Sequence, residues 1–308
     1  MADPVRIGTR GSVLALTQAE WAAGLLGGAE LVVIRTSGDE GSARGTGGAG
    51  APNDKARFVR EIEQAVTAGD VDLAVHSAKD VPGELPDDLR IAGVPAREDA
   101  RDAWCGSAGS LDEVPEGARV GTSSLRRQAQ LRARRPDLQV SALAGNVDTR
   151  LRKLAEGQFD GIVLALAGLR RLGRENEASF AFHPSEMVPA PGQGSLALQV
   201  RADNTAMLER AAAVTDRAAL VELTAERAVV ATLGASCMTP VGAHAQLGGD
   251  RLRVWGFAGL PDGSEWVTDD LSGPADDPAG LGQEVGDRMR EAGATELLQR
   301  AAEEVDDA

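Results

Sequence analysis

Over its first two-thirds the chain alternates short runs of β-branched and aliphatic residues with amphipathic stretches of helical length, the pattern of parallel sheets covered by helices. Strands are expected at residues 5–8, 31–36, 71–75, 90–94, 118–121, 138–143, 161–166 and 196–200, with helices between them. The last third breaks this alternation. A long helix rich in Ala, Leu and Glu is expected over 215–233, then a β-meander over 241–273 that turns at Gly248-Gly249-Asp250 and Pro261-Asp262-Gly263, then a helix from Pro278. The expected fold class is α/β with a small α+β domain at the C-terminal end.

The 308 residues, 43% hydrophobic and 26% charged, have room for two or three domains. A formal net charge of −15 repels a nucleic-acid backbone and an anionic membrane surface, so neither is expected as a partner. No apolar run has the length of a membrane span, and Met1-Ala2-Asp3-Pro4-Val5-Arg6 lacks the basic and apolar regions of a signal peptide, so a cytoplasmic location is expected. The two cysteines, Cys105 and Cys237, are too few for a disulfide framework or a structural zinc site. His76, His183 and His244 do not cluster, and no metal is expected.

Chemistry concentrates where strands end. The apolar run Val71-Asp72-Leu73-Ala74-Val75 leads into His76-Ser77-Ala78-Lys79-Asp80-Val81-Pro82, which delivers an acid beside a lysine to the rim of a sheet, where α/β proteins bind ligands. Asp80 is therefore expected to face a cleft. A weak internal repeat, Arg6-Ile7-Gly8-Thr9-Arg10-Gly11-Ser12 against Arg119-Val120-Gly121-Thr122-Ser123-Ser124, places a strand, glycine and hydroxyl residues before a helix in each lobe. Such helix starts receive anions, although the same residues are ordinary caps. Arg10, Arg126, Arg127, Arg150 and Arg171 all fall near expected strand ends, and as a set they imply a polyanionic ligand with carboxylates that the guanidinium fork matches. No phosphate-binding loop of the P-loop or dinucleotide type follows a strand. Residues 38–54 carry no large apolar side chain and are read either as a mobile lid or as an insertion without function.

Seven segments in order resemble the porphobilinogen deaminase (hydroxymethylbilane synthase) family. They are Ile7-Gly8-Thr9-Arg10-Gly11-Ser12 with Leu14-Ala15-Leu16; Val75-His76-Ser77-Ala78-Lys79-Asp80-Val81-Pro82; Gly121-Thr122-Ser123-Ser124-Leu125-Arg126-Arg127-Gln128; Gly145-Asn146-Val147-Asp148-Thr149-Arg150-Leu151; Leu166-Ala167-Gly168-Leu169-Arg170-Arg171-Leu172-Gly173; Pro191-Gly192-Gln193-Gly194; and Cys237 before Pro240-Val241-Gly242. The resemblance implies two periplasmic-binding-protein-like lobes around a cleft plus a small α+β domain that carries a cofactor cysteine. The corresponding boundaries are 1–95 with 190–214, 96–189, and 215–308.

The resemblance further implies a monomeric transferase that polymerises four porphobilinogen molecules head to tail with release of ammonia, giving hydroxymethylbilane. The chain would grow on a dipyrromethane cofactor held as a thioether at Cys237. Asp80 would be the catalytic carboxylate. Arg10, Ser12, Lys79, Thr122, Ser124, Arg126, Arg127, Asn146, Arg150, Arg171 and Gln193 would bind cofactor and substrate, and Phe58 would stack on a pyrrole. Two departures stand out. Ala144 occupies a position where the family usually has arginine, and the approach to the first long helix reads Asn53-Asp54-Lys55-Ala56-Arg57-Phe58 rather than glycine-rich. The competing reading is a binding module without catalysis, whose two-lobed cleft captures a small polycarboxylate; the absent signal peptide and the presence of both Asp80 and Cys237 argue against it.

Overall fold

The structure is a computed structural model. It describes residues 4–34, 54–235 and 239–306, and of these the side chains of 54–58 and 304–306 lie outside the description. In chain order the strands are β1 Arg6–Thr9, β2 Glu30–Val33, β3 Leu73–Ser77, β4 Leu89–Gly93, β5 Asp102–Gly106, β6 Arg119–Gly121, β7 Gln139–Ser141, β8 Gly161–Ala165, β9 Phe180–Ala181, β10 Leu196–Arg201, β11 Val241–Gly248, β12 Arg251–Gly259 and β13 Trp266–Pro274. The helices are α1 Val13–Leu25, α2 Asp54–Ala68, α3 Leu125–Arg134, α4 Val147–Ala155, α5 Leu166–Arg171, α6 Thr205–Ala212, α7 Arg217–Thr232, α8 Pro278–Glu291 and α9 Ala294–Asp306.

The chain divides into two compact units, residues 1–98 with 194–220 and residues 99–193 with 221–308. The first holds a five-stranded sheet of order β2-β1-β3-β10-β4, in which β1 runs parallel to β2 and β3 while β10 runs against β3 and β4. The second holds a sheet of order β7-β6-β8-β5-β9 with the same pattern, β6 parallel to its two neighbours and β5 reversed. In each sheet the fourth position is taken by a strand from outside the local βαβ run. Because β10 follows the second sheet in sequence, the chain must return to the first unit to complete it.

Ile7, Leu73, Leu196 and Leu198 are fully buried at the centre of the first sheet. In the second unit Trp104, Val120, Leu131 and Val163 pack on one side of the sheet, and Leu143, Ile162, Leu164 and Leu169 form a second cluster. A third, antiparallel sheet of order β11-β12-β13 forms its own core with α7 and α8 through Val229, Leu252, Val254, Val285 and Met289. Trp255 and Phe257 of β12 cluster with Ala129 of α3, and the Arg132 guanidinium donates to the Pro261 carbonyl at 2.7 Å. These contacts explain why the third sheet falls in the second unit.

The expected strands are present, with 138–143 shortened to β7 and the end of 31–36 outside the described residues. Two strands, β5 and β9, go beyond the sequence expectation. The first opens on Asp102, which sequence patterning treats as a strand breaker, and the second is only two residues long. The expected C-terminal helix is two helices, parted at Gly293, whose φ of 94° is left-handed.

Candidate active site

The first unit gathers its candidates at one rim. Strands β1 and β3 are adjacent and parallel, with Ile7 beside Leu73 and Gly8 beside Ala74, so the residues that follow both strands emerge at the same edge. After β1 come Arg10 and Ser12, whose hydroxyl caps α1 by accepting from the Ala15 N–H at 3.3 Å. After β3 comes a 3-10 turn, Ala78–Asp80, closed by the Val81 N–H on the Ala78 carbonyl at 3.2 Å. Its first residue is anchored by an Ala78 N–H bond to the Ser195 carbonyl at 3.0 Å. Lys79 and Asp80 are half-buried. Behind them His76 is buried, and burial pushes its pKa down to about 4, against the opposing influence of Gln199 and Asp80. At neutral pH Asp80 therefore stands before an uncharged imidazole.

The second unit gathers its candidates in the same way. Residues that follow the parallel strands β7, β6 and β8 share a rim, and antiparallel β5 brings its first residue there, since Asp102 pairs with Ala165. Thr122 is buried and its hydroxyl accepts from the Ser124 N–H at 3.2 Å. Ser124 caps α3 through its backbone only, which leaves its half-buried hydroxyl uncommitted to the helix. Asn146 caps α4 by accepting from the Thr149 N–H at 2.9 Å, and Arg171 ends α5 half-buried.

Arg126 and Arg127 are buried rather than splayed toward solvent. Both hold Asp102, which is 0% exposed: Arg126 Nη1 donates to Oδ2 at 2.7 Å, and Arg127 donates to Oδ1 from Nε at 2.9 Å and from Nη2 at 2.6 Å. Gln193 Nε2 joins them, donating to Oδ1 at 2.9 Å. Burial alone would raise the proton affinity of Asp102, but the charges of Arg126 and Arg127 and the hydrogen bonds from Arg126 and Gln193 outweigh it and hold the carboxyl well below the usual range. Sequence reasoning misses Asp102. The available signal is an acid opening the otherwise apolar run Ala103-Trp104-Cys105, which is tolerable in a core only beside cations.

Two guanidinium groups and one carboxylate leave a positive charge in excess. Arg150 adds to it. Its Nε donates to the Gly145 carbonyl at 2.8 Å, no carboxylate among the described residues pairs with it, and burial followed by the nearby Arg127 charge pushes its pKa down to about 10. A cation held in such surroundings is stabilised by any anion that enters, so this rim fits a group that carries several carboxylates. Phe58 as a side chain, Cys237 and residues 38–53 lie outside the described residues. Cys105 is buried in the second sheet, and burial pushes its thiol up to about 12, which leaves it inert.

A family model described as the dipyromethane cofactor binding domain of porphobilinogen deaminase matches residues 5–209, and one described as the C-terminal domain of porphobilinogen deaminase matches 220–291. A porphobilinogen deaminase from Roseiflexus castenholzii is 48% identical over 305 residues, which cover 97% of this chain and 99% of the relative. One from Deinococcus radiodurans is 43% identical over 307 residues, with 97% and 99% covered. The chain belongs to the porphobilinogen deaminase family. The two porphobilinogen deaminase domain matches part between 209 and 220, just where α7 begins to lead into the third sheet. Among solved structures, the periplasmic VFT2 domain of Bordetella pertussis BvgS is 15% identical, with 68% of this chain and 86% of that one covered at a TM-score of 0.40.

Proposed function

We propose that this chain joins four porphobilinogen molecules head to tail with loss of ammonia and releases hydroxymethylbilane after hydrolysis. Near-full-length identity to porphobilinogen deaminases carries the reading. Each substrate ring brings an acetate and a propionate, and the excess of buried positive charge around Arg126, Arg127 and Arg150 supports binding of such a ligand. Arg10, Ser12 and Lys79 of the first unit and Thr122, Ser124, Asn146, Arg171 and Gln193 of the second are assigned to the same task.

Asp80 is assigned the chemistry. When porphobilinogen loses ammonia it becomes an electron-poor azafulvene; a carboxylate beside the pyrrole nitrogen stabilises the positive charge and handles protons as the next ring bonds. The uncharged state of His76 supports this role, since a second cation behind Asp80 would compete for its charge. The dipyrromethane cofactor, when bound, supplies the primer on which the chain grows. We assign its thioether to Cys237 and ring stacking to Phe58, in a three-domain arrangement of 1–95 with 190–214, 96–189 and 215–308. The enzyme is proposed to work as a cytoplasmic monomer without nucleic-acid or membrane partners; among the described residues no helix is long and apolar enough to cross a membrane.

Intact-mass and peptide mass spectrometry test the assignment. Protein from cells able to make porphobilinogen is expected to carry a two-pyrrole adduct on Cys237. An unmodified Cys237, or an adduct on buried Cys105, overturns it.

A further inference from the structure

We infer that Asp102 is a positioning residue, whose carboxylate draws Arg126 and Arg127 together so that the second unit presents a fixed, net-positive rim to the carboxylates of the pyrrole chain. The inference rests on the proposed function for the identity of the ligand. Arg126 and Arg127 are consecutive in the first turn of α3, and consecutive helical side chains diverge by roughly 100°. They converge here because each takes a different oxygen of one carboxylate.

The remaining bonds fix the group from several elements at once. Arg126 Nη1 also donates to the Val188 carbonyl at 2.6 Å, Arg127 Nη1 donates to the Val163 carbonyl of β8 at 2.8 Å, and Gln193 Nε2 donates to the Ala100 carbonyl at 2.7 Å. The two guanidinium groups that meet Asp99 are 40% and 42% exposed and screened by water, whereas the two that meet Asp102 are 5% and 6% exposed. Here one acid is shared between two arginines, with Arg150 close enough to feel Arg127. The acid thus brings like charges to one place without cancelling them, which is what a binder of several carboxylates requires.

The test compares Asp102→Asn with Asp99→Asn in the full-length protein. Asp99 is an acid of the same unit, paired with Arg101 at 2.7 Å and Arg170 at 3.4 Å. Asp102→Asn keeps the volume but places an N–H₂ group against a guanidinium. We expect it to raise the KM for porphobilinogen at least tenfold, while kcat per cofactor-bearing molecule changes less than threefold. It is also expected to slow, by a similar factor, the gain of covalent mass when cofactor-free protein is incubated with porphobilinogen. Asp99→Asn is expected to lower thermal stability without either change.

A folded Asp102→Asn protein with unchanged KM and loading rate overturns the inference, as does an equal rise in KM in Asp99→Asn. If Asp102→Asn does not fold, Asp102→Glu keeps the charge but moves it by one methylene; a KM raised at least threefold supports the inference and an unchanged one overturns it. If the proposed function itself is wrong, the unaltered protein neither turns over porphobilinogen nor gains mass from it, a result distinct from all of these.

Discussion

His76 and Gln199 meet across the antiparallel pair β3 and β10, with Nε2 3.0 Å from Oε1. The Gln199 amide nitrogen is already committed to Glu63 at 2.9 Å, so its oxygen is the acceptor and the imidazole carries its proton on Nε2. The ring is buried, neutral and poised behind Asp80.

A histidine whose pKa falls from 6.5 to about 4 on folding takes up a proton more readily when unfolded, so stability rises with pH between those values and is lost as pH falls through them. Between pH 7.5 and pH 5 this one group is expected to cost about 2 kcal/mol. Urea unfolding at the two pH values measures it. His76→Asn is expected to be less stable at pH 7.5 but to lose less on acidification; an equally steep loss in the variant would assign the pH dependence elsewhere.

The duplicated core of the two sheets was partly legible. Arg6-Ile7-Gly8-Thr9 and Arg119-Val120-Gly121-Thr122 mark β1 and β6, each second in its sheet. What the sequence concealed is how alike they are. Arg6 makes backbone and side-chain bonds to Asp72 and one to the Gly69 carbonyl, and Arg119 makes the same set to Asp160 and the Gly157 carbonyl. The partners lie 66 and 41 residues away, beyond the reach of local periodicity. Asp102 was hidden for a related reason, because strand patterning has no place for a buried acid and only tertiary contacts show the cations that neutralise it. Asp80 was legible because a strand followed by charge needs no partner to be noticed.

Asp80→Asn is expected to fold normally and to acquire cofactor, since the residue is half-buried on a turn held by backbone bonds of Ala78 and Val81. Turnover should fall on the order of a hundredfold or more, because the lost charge acts on charge that develops in the reaction. Single-turnover kinetics, normalised to cofactor-bearing protein, make the measurement. Near-normal turnover would move Asp80 to a structural role.

The cation that the family usually carries at position 144 has a candidate replacement. Arg132 is spent on the Val140 and Pro261 carbonyls, both at 2.7 Å, and Arg134 on the Ser185 carbonyl at 2.5 Å. Lys153 Nζ instead lies 3.5 Å from the Ala144 carbonyl, one helical turn along α4 from Arg150, and no carboxylate among the described residues pairs with it. Ala144→Arg is expected to be tolerated at this half-buried position and to leave the KM for porphobilinogen unchanged or lower. A new ion pair to the ligand would contribute about 1.5 to 3 kcal/mol if desolvated and under about 1 kcal/mol if exposed. Lys153→Ala should raise that KM in the unaltered chain and raise it less in the Ala144→Arg background, because two cations that serve one carboxylate are not additive. Equal effects in both backgrounds would separate Lys153 from the ligand, and misfolding of Ala144→Arg would mean that the space beside Gly145 is already filled.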